Sequence, residues 1–222
     1  MSTLLDFSTL LGCEKLKTAM KLCAVGALPL AVRSNIGSVG VDLLVRGLPL
    51  VLSADTVPPS ATNGGRPYVK APMPAGATYD DALDALRTFA QQAQGGVLYL
   101  PDFASWPDGV VDDWMAGHAE NLGACAVVFR VLRGDAAAWE RARGLCVLAL
   151  DHVVGPDASL EPGPNSVQVR AEIAAAARLW LDCPQVAEVS DNEGLAACAL
   201  AALRGRRGPT SADWHAAGQF TC

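Results

Sequence analysis

Strand-like and helix-like segments alternate through the second half of the chain, and this alternation limits the possible folds more than any other feature. Four short apolar runs are each followed by a segment with helical periodicity; the runs read GVLYLPD, ACAVVFRVL, LCVLALDHVV and PQVAEVSD. Successive units of this kind are joined by right-handed crossovers, which make neighbouring strands parallel. The sequence therefore predicts an α/β fold, a three-layer sandwich with a mostly parallel sheet, in which residues 79–205 form the repeated βα units.

The segments on either side of these units have different patterns. Residues 1–26 predict an N-terminal amphipathic helix, because leucines and Met20 recur at helical spacing. Residues 27–72 contain short leucine-rich and β-branched runs between glycines and prolines, which predict antiparallel strands and a loop. Residues 206–222 are weakly patterned and predict a mostly irregular tail. One α/β core commonly holds about 200 residues, so residues 1–222 are interpreted as a single domain.

The charge balance bears on the partners that the chain can bind. Its net charge is −6, so no overall positive field would attract nucleic acid. Uninterrupted apolar windows stay shorter than the roughly 18 residues of a membrane span, so none is expected. Only 18% of the residues are charged while 51% are hydrophobic. That composition favours a surface buried against a protein partner or a second copy of the chain.

The seven cysteines are odd in number and form no CxxC pair. Cys125, Cys146 and Cys198 lie inside apolar runs, where cysteine usually behaves as a small buried hydrophobic residue. The sequence therefore predicts reduced cysteines and a reducing compartment, the cytoplasm. The first residues lack the basic and apolar regions of a secretory signal, which agrees with that expectation.

Carboxylates follow two of the predicted strands. Asp102 ends the first run, Asp151 follows the apolar stretch LCVLAL of the third, and His152 comes directly after Asp151. Carboxyl ends of parallel strands meet at one edge of a sheet, and adjacent strands lie about 4.8 Å apart, so we expect the two aspartates to lie close together. Asp191 ends the fourth run. If the chain is an enzyme, Asp102, Asp151 and Asp191 could hold a divalent cation for hydrolysis or phosphoryl transfer, with His152 beside them.

The same aspartates have a structural interpretation, to which we give more weight. Aspartate at the end of a strand commonly caps the next helix or closes a turn. The segment SNIGSVG holds two glycines, but we do not expect it to lie between a parallel strand and a helix, as a phosphate loop must. Since the chain also lacks a dinucleotide fingerprint and a GxSxG turn, no cofactor is predicted outside the divalent cation of the enzyme hypothesis.

The predicted order of elements, antiparallel strands followed by alternating helices and strands, is similar to the ribonuclease-H-like fold of resolvases and related nucleases. The resemblance implies carboxylates at three places. These places correspond to Ser34 in the first strand region, to Leu100 or the slightly later Asp102, and to Ala197 on the last helix. The sequence thus departs from that pattern at Ser34 and Ala197.

Two hypotheses for function follow. The first, which we favour, is a non-catalytic α/β subunit that acts through protein–protein contacts in a larger assembly. The alternative is a metal-dependent hydrolase or phosphotransfer enzyme, including a relative of the ribonuclease-H-like nucleases, with carboxylates at the ends of parallel strands. The two differ in whether Asp102 and Asp151 face one pocket.

Overall fold

The computed structural model describes residues 13–35, 39–59, 66–118, 125–152 and 166–221. Its centre is a five-stranded sheet. The strands are β1 (Leu30–Ser34), β2 (Tyr68–Lys70), β3 (Val97–Leu100), β4 (Ala126–Leu132) and β5 (Leu148–Asp151). Their order in the sheet is β2-β3-β4-β1-β5, and every neighbouring pair is parallel. The predicted α/β fold with a parallel sheet is confirmed.

Helices cover both faces of the sheet. They are α1 (Glu14–Gly26), α2 (Val39–Gly47), α3 (Tyr79–Gln92), α4 (Val110–His118), α5 (Ala136–Leu145), α6 (Ser166–Leu181), α7 (Pro184–Glu188), α8 (Asn192–Leu203) and α9 (Ser211–Ala217). One apolar core joins α1, α2, α6 and α8 to the first face, and a second joins α3, α4 and α5 to the other. Side chains of β1 alternate between the two cores: Leu30 and Val32 enter the first, and Ala31 enters the second.

The N-terminal helix is confirmed over Glu14–Gly26, while residues 1–12 lie outside the described residues. It is a core element, because Leu16, Met20 and Leu22 are fully buried. It packs against α6 and α8 as well as the sheet. Polar caps fix where other helices begin; Thr78 and Asp81, for example, form a reciprocal capping box at the start of α3.

Three predictions of local structure are wrong. The run VGVDLLVRG is helix α2, and the two described strands within residues 27–72, β1 and β2, are parallel to all of their neighbours. The run PQVAEVSD contains the short helix α7 in place of an edge strand, and the tail contains helix α9. Short apolar runs fit strands and buried helices equally well, so periodicity could not separate them. The antiparallel strands that suggested a ribonuclease-H-like fold are therefore not formed in the described part of the chain.

No described helix combines the length and the apolar character needed to cross a lipid bilayer. The six described cysteines are free thiols, and five of them are buried. Cys222 lies outside the described residues.

Candidate functional site at the carboxyl edge of the sheet

The sheet has a topological switch point between β1 and β4. After β1 the chain passes to α2, which packs on the first face through Val41 and Leu44. After β4 it passes to α5, which packs on the second face through Trp139 and Ala142. Two neighbouring strands whose connections leave on opposite faces open a crevice at their carboxyl ends, and ligands of open α/β sheets bind there. This crevice is therefore a candidate ligand-binding site.

A buried arginine of β4 lies at this crevice. Arg130 points toward the face that α2 covers, and its Nε donates a hydrogen bond to Ser34 Oγ at 3.1 Å. Its other guanidinium nitrogens donate to Asp42 Oδ2 at 3.3 Å and to the backbone oxygen of Asn35 at 3.3 Å. One side chain thus ties β4 to the end of β1 and to the first turn of α2.

A tyrosine on the next strand completes this arrangement. Tyr99 of β3 is fully buried, and its hydroxyl donates to Asp42 Oδ1 at 2.6 Å. Burial, together with the neighbouring carboxylate, raises the pKa of Tyr99, so the phenol stays protonated. We call Ser34, Asn35, Asp42, Tyr99 and Arg130 the Arg130 network.

The segment SNIGSVG lies in this region, contrary to expectation. Ser34 ends the parallel strand β1, and α2 begins at Val39, so the segment does connect a strand to a helix. Its chemistry is not that of a phosphate loop, in which lysine and then serine or threonine follow the last glycine. Here Val41 and Asp42 follow Gly40. The Asp42 carboxylate places negative charge in the first helical turn, where it would repel a phosphate.

A second charged cluster lies on the opposite face of the same edge. Arg33 of β1 and Arg133, which follows β4, each donate to one carboxylate oxygen of Asp151 at the end of β5. The Arg33 guanidinium also lies 4.9 Å from the ring centroid of Trp139. The hydrogen bond from Arg33, with the charges of both arginines, lowers the pKa of Asp151 although burial opposes the shift.

His152 has a different environment from that of its neighbour. Its side chain is buried, its backbone N–H donates to the oxygen of Arg33 at 2.8 Å, and its Nε2 lies 3.8 Å from Cys13 Sγ. Burial lowers the pKa of His152 and raises the pKa of Cys13. The two groups are therefore neutral near pH 7, whereas a nucleophilic cysteine needs a lowered pKa.

Asp102 and Asp151 do not lie on adjacent strands. Asp102 follows β3 and Asp151 ends β5, and both β4 and β1 run between them. Three spacings of about 4.8 Å separate these strand ends by about 14 Å, too far for both carboxylates to bind one cation. The expectation of adjacency is wrong because β1, from the N-terminal part of the chain, inserts between β4 and β5.

Asp191 lies near the amino ends of the strands, on the side of the sheet opposite to the carboxyl edge. It caps α8 by accepting a hydrogen bond from the Gly194 backbone N–H at 2.6 Å. The next residue, Asn192, donates to the oxygen of Cys146 at 3.1 Å, just before the amino end of β5. An open depression of about 660 Å³ beside it is lined by Ser190, Asp191, Asn192, Glu193, Gly218 and Thr221. Within the described ranges, no three histidine, cysteine or acidic side chains are grouped so that they could hold a metal ion.

Comparison with known proteins does not assign a function to this site. No family model matches the chain, and no curated protein matches it. The interpretation of the site therefore rests on its geometry.

The Arg130 network is the feature that sequence reasoning missed. Its one signal is the arginine inside the apolar run ACAVVFRVL, because a charged side chain in a buried strand needs partners. The partners themselves carry no local signal, since Tyr99 and Asp42 lie far from Arg130 in the sequence.

Proposed function

We propose that this protein is a non-catalytic α/β subunit that acts through protein–protein contacts in a larger assembly, in a reducing compartment such as the cytoplasm. The observation that carries the proposal is the Arg130 network, which joins the ends of β4 and β1 where an α/β enzyme of this topology would bind its substrate. A ligand entering there would have to displace Arg130 from Ser34 and Asp42. Arg130 and Ser34 are buried, and leaving a buried polar group without a partner costs about 1–3 kcal/mol.

The positions of the candidate catalytic residues also support this proposal. Asp151 is bound by two arginines, and Asp191 caps a helix. Two strands, β4 and β1, lie between Asp102 and Asp151. Asp151 and Asp191 thus have separate local partners, and neither shares a pocket with Asp102 as the enzyme hypothesis requires.

The outer side of α6 carries two exposed apolar side chains. Val167 is 78% exposed and Leu181 is 58% exposed, the highest values among the large apolar side chains described. They are about four helical turns apart, which places them on nearly the same side of the helix. Covering one such side chain contributes about 1.5–3 kcal/mol. We propose that a second copy of the chain covers this side.

The reducing compartment is proposed from the thiols. Burial raises the pKa of Cys23 and of Cys125 to about 12, so both remain protonated and unreactive. Such cysteines are compatible with a reducing environment, in which disulfides do not persist.

Sedimentation velocity over a hundredfold concentration range tests the association. We expect the weight-average mass of the wild-type chain to rise above 23.1 kDa with concentration. Val167→Glu and Leu181→Glu each place a charge on the contact side and should shift association to at least tenfold higher concentration. Gln91→Glu adds the same charge at an exposed site on α3, in the opposite helical layer, and should leave association unchanged.

A wild-type chain that remains a monomer at the highest concentration would contradict self-association. If Gln91→Glu weakened association as much as the two α6 variants, general charge repulsion would explain the result and the proposed contact side would be wrong.

A further inference from the structure

Three neighbouring strands bring two arginines to a single carboxylate at the carboxyl edge of the sheet. Arg33 and Asp151 are direct partners in the β1–β5 register, and the Arg133 backbone N–H extends the β4–β1 pairing by donating to the oxygen of Ser34 at 3.0 Å. The three side chains point to the face that α5 covers, opposite to the Arg130 network. We call Arg33, Arg133 and Asp151 the arginine clamp.

The guanidinium groups are arranged as a receptor for an oxyanion. Arg33 donates to Oδ2 of Asp151 and Arg133 donates to Oδ1, so each oxygen of the planar group has its own cation. Trp139 lies under the Arg33 guanidinium and holds its orientation. Arginine is the residue that best recognises carboxylate and phosphoryl oxygens in this paired geometry.

The clamp brings two cationic side chains to one carboxylate, in a chain whose net charge is −6. The clamp is accessible, since the side chains of Arg133 and Asp151 are 37% and 36% exposed. It also lies at the carboxyl ends of parallel strands, the edge where α/β sheets bind their ligands.

We propose that Arg33 and Arg133 form a binding site for a phosphoryl group, and that Asp151 occupies the site when the ligand is absent. The spacing of two phosphoryl oxygens is close to that of two carboxylate oxygens, so the same pair of guanidinium groups accepts either. A dianionic phosphoryl group attracts the two arginines more strongly than a single carboxylate does. This site is independent of the proposed assembly function and of the α6 surface.

Titration with inorganic phosphate, followed by ³¹P NMR at fixed ionic strength, tests the proposal. The wild type should bind phosphate weakly, because Asp151 competes with it. Asp151→Asn keeps the shape of the side chain and removes the competing charge, so we expect phosphate affinity to rise at least tenfold. The same titration is repeated with O-phosphoserine, a phosphate monoester. An affinity similar to that for inorganic phosphate would indicate that a phosphorylated partner can supply the group. A weaker affinity would indicate that free phosphate is the ligand.

Adding Arg133→Gln to Asp151→Asn should remove the gain in phosphate affinity. Adding Arg87→Gln, which changes an exposed arginine on α3, should preserve it. The proposal is overturned if Asp151→Asn binds phosphate no better than the wild type, or if binding survives Arg133→Gln. Thermal melting of each variant establishes that it is folded under the conditions of the titration.

Discussion

The structure defines the roles of the buried charged residues most clearly. Arg130 in β4 and Asp213 in α9 are both buried, and each is held by several partners. The sequence indicates that Arg130 needs partners because it interrupts an apolar strand. It cannot indicate which ones, since Asp42 and Tyr99 come from elements that meet Arg130 only in the folded chain. Asp102 and Asp151 show the opposite case, because their positions at strand ends were predictable but their separation was not.

At the residue scale we predict that Asp213→Asn lowers the free energy of unfolding by about 2–3 kcal/mol at pH 7. The Asp213 side chain is 0% exposed and accepts hydrogen bonds from Arg204 at 2.6 Å, from Arg206 at 2.5 Å and from the Thr210 backbone N–H at 2.8 Å. Asparagine keeps the cap but loses both ion pairs. Urea unfolding measures the change, and Asp191→Asn, which replaces an exposed cap, should cost less than about 0.5 kcal/mol.

The difference in stability between the wild type and Asp213→Asn should depend on pH in one direction. Burial opposes ionisation of Asp213, but the hydrogen bonds from Thr210 and Arg204 outweigh it and lower its pKa below the usual 3.8. A carboxyl with a lowered folded-state pKa stabilises the protein fully above its unfolded-state value. The stability gap between wild type and Asp213→Asn should therefore be constant near neutrality and close as the pH falls below about 4. A gap that widens in acid would contradict this assignment.

At the scale of elements, strong local signals were predictive and short apolar runs were not. The repeated units were predicted to begin at residue 79, and α3 does begin at Tyr79, after a capping box formed by Thr78 and Asp81. The run that forms α2 contains closely spaced valines and leucines, and its nine residues are too few for periodicity to separate helix from strand. What makes it helical is its place after β1, where Val41 and Leu44 enter the first core.

The pairing of β2 with β3 depends on a glycine. A Cβ atom added to Gly96 would lie 2.0 Å from the backbone oxygen of Pro67, which accepts a hydrogen bond from Val97 N–H at 2.8 Å. We predict that Gly96→Ala destabilises the fold by about 1–3 kcal/mol, because a backbone atom must move. Gly144→Ala in α5 meets no atom within 4 Å and should be neutral or stabilising by up to about 1 kcal/mol. Equal melting temperatures of the two variants would contradict this prediction, because they would mean that β2 can shift without loss of stability.

At the scale of the whole molecule, the order of the strands determines what the carboxyl edge can do. The alternation of strands and helices predicted the class of fold, but not that β1 inserts between β4 and β5. That insertion pairs residues that are 98 positions apart in β1 and β4 and 118 apart in β1 and β5, and local pattern does not encode such pairings. It separates Asp102 from Asp151, creates the switch point beside β4, and brings Arg130 to Ser34.

We infer that the Arg130 network closes the crevice at the switch point of the sheet. Urea unfolding of Arg130→Gln and Arg133→Gln tests it most directly, because the two arginines come from the same strand end and differ in burial. We predict that Arg130→Gln lowers the free energy of unfolding by about 1–3 kcal/mol, since buried Ser34 loses its partner and Asp42 keeps Tyr99 but loses its ion pair. Arg133→Gln breaks a partly exposed ion pair and should cost less than about 1 kcal/mol. Unchanged or increased stability of Arg130→Gln would contradict the account, because residues kept for function at the expense of stability behave in that way.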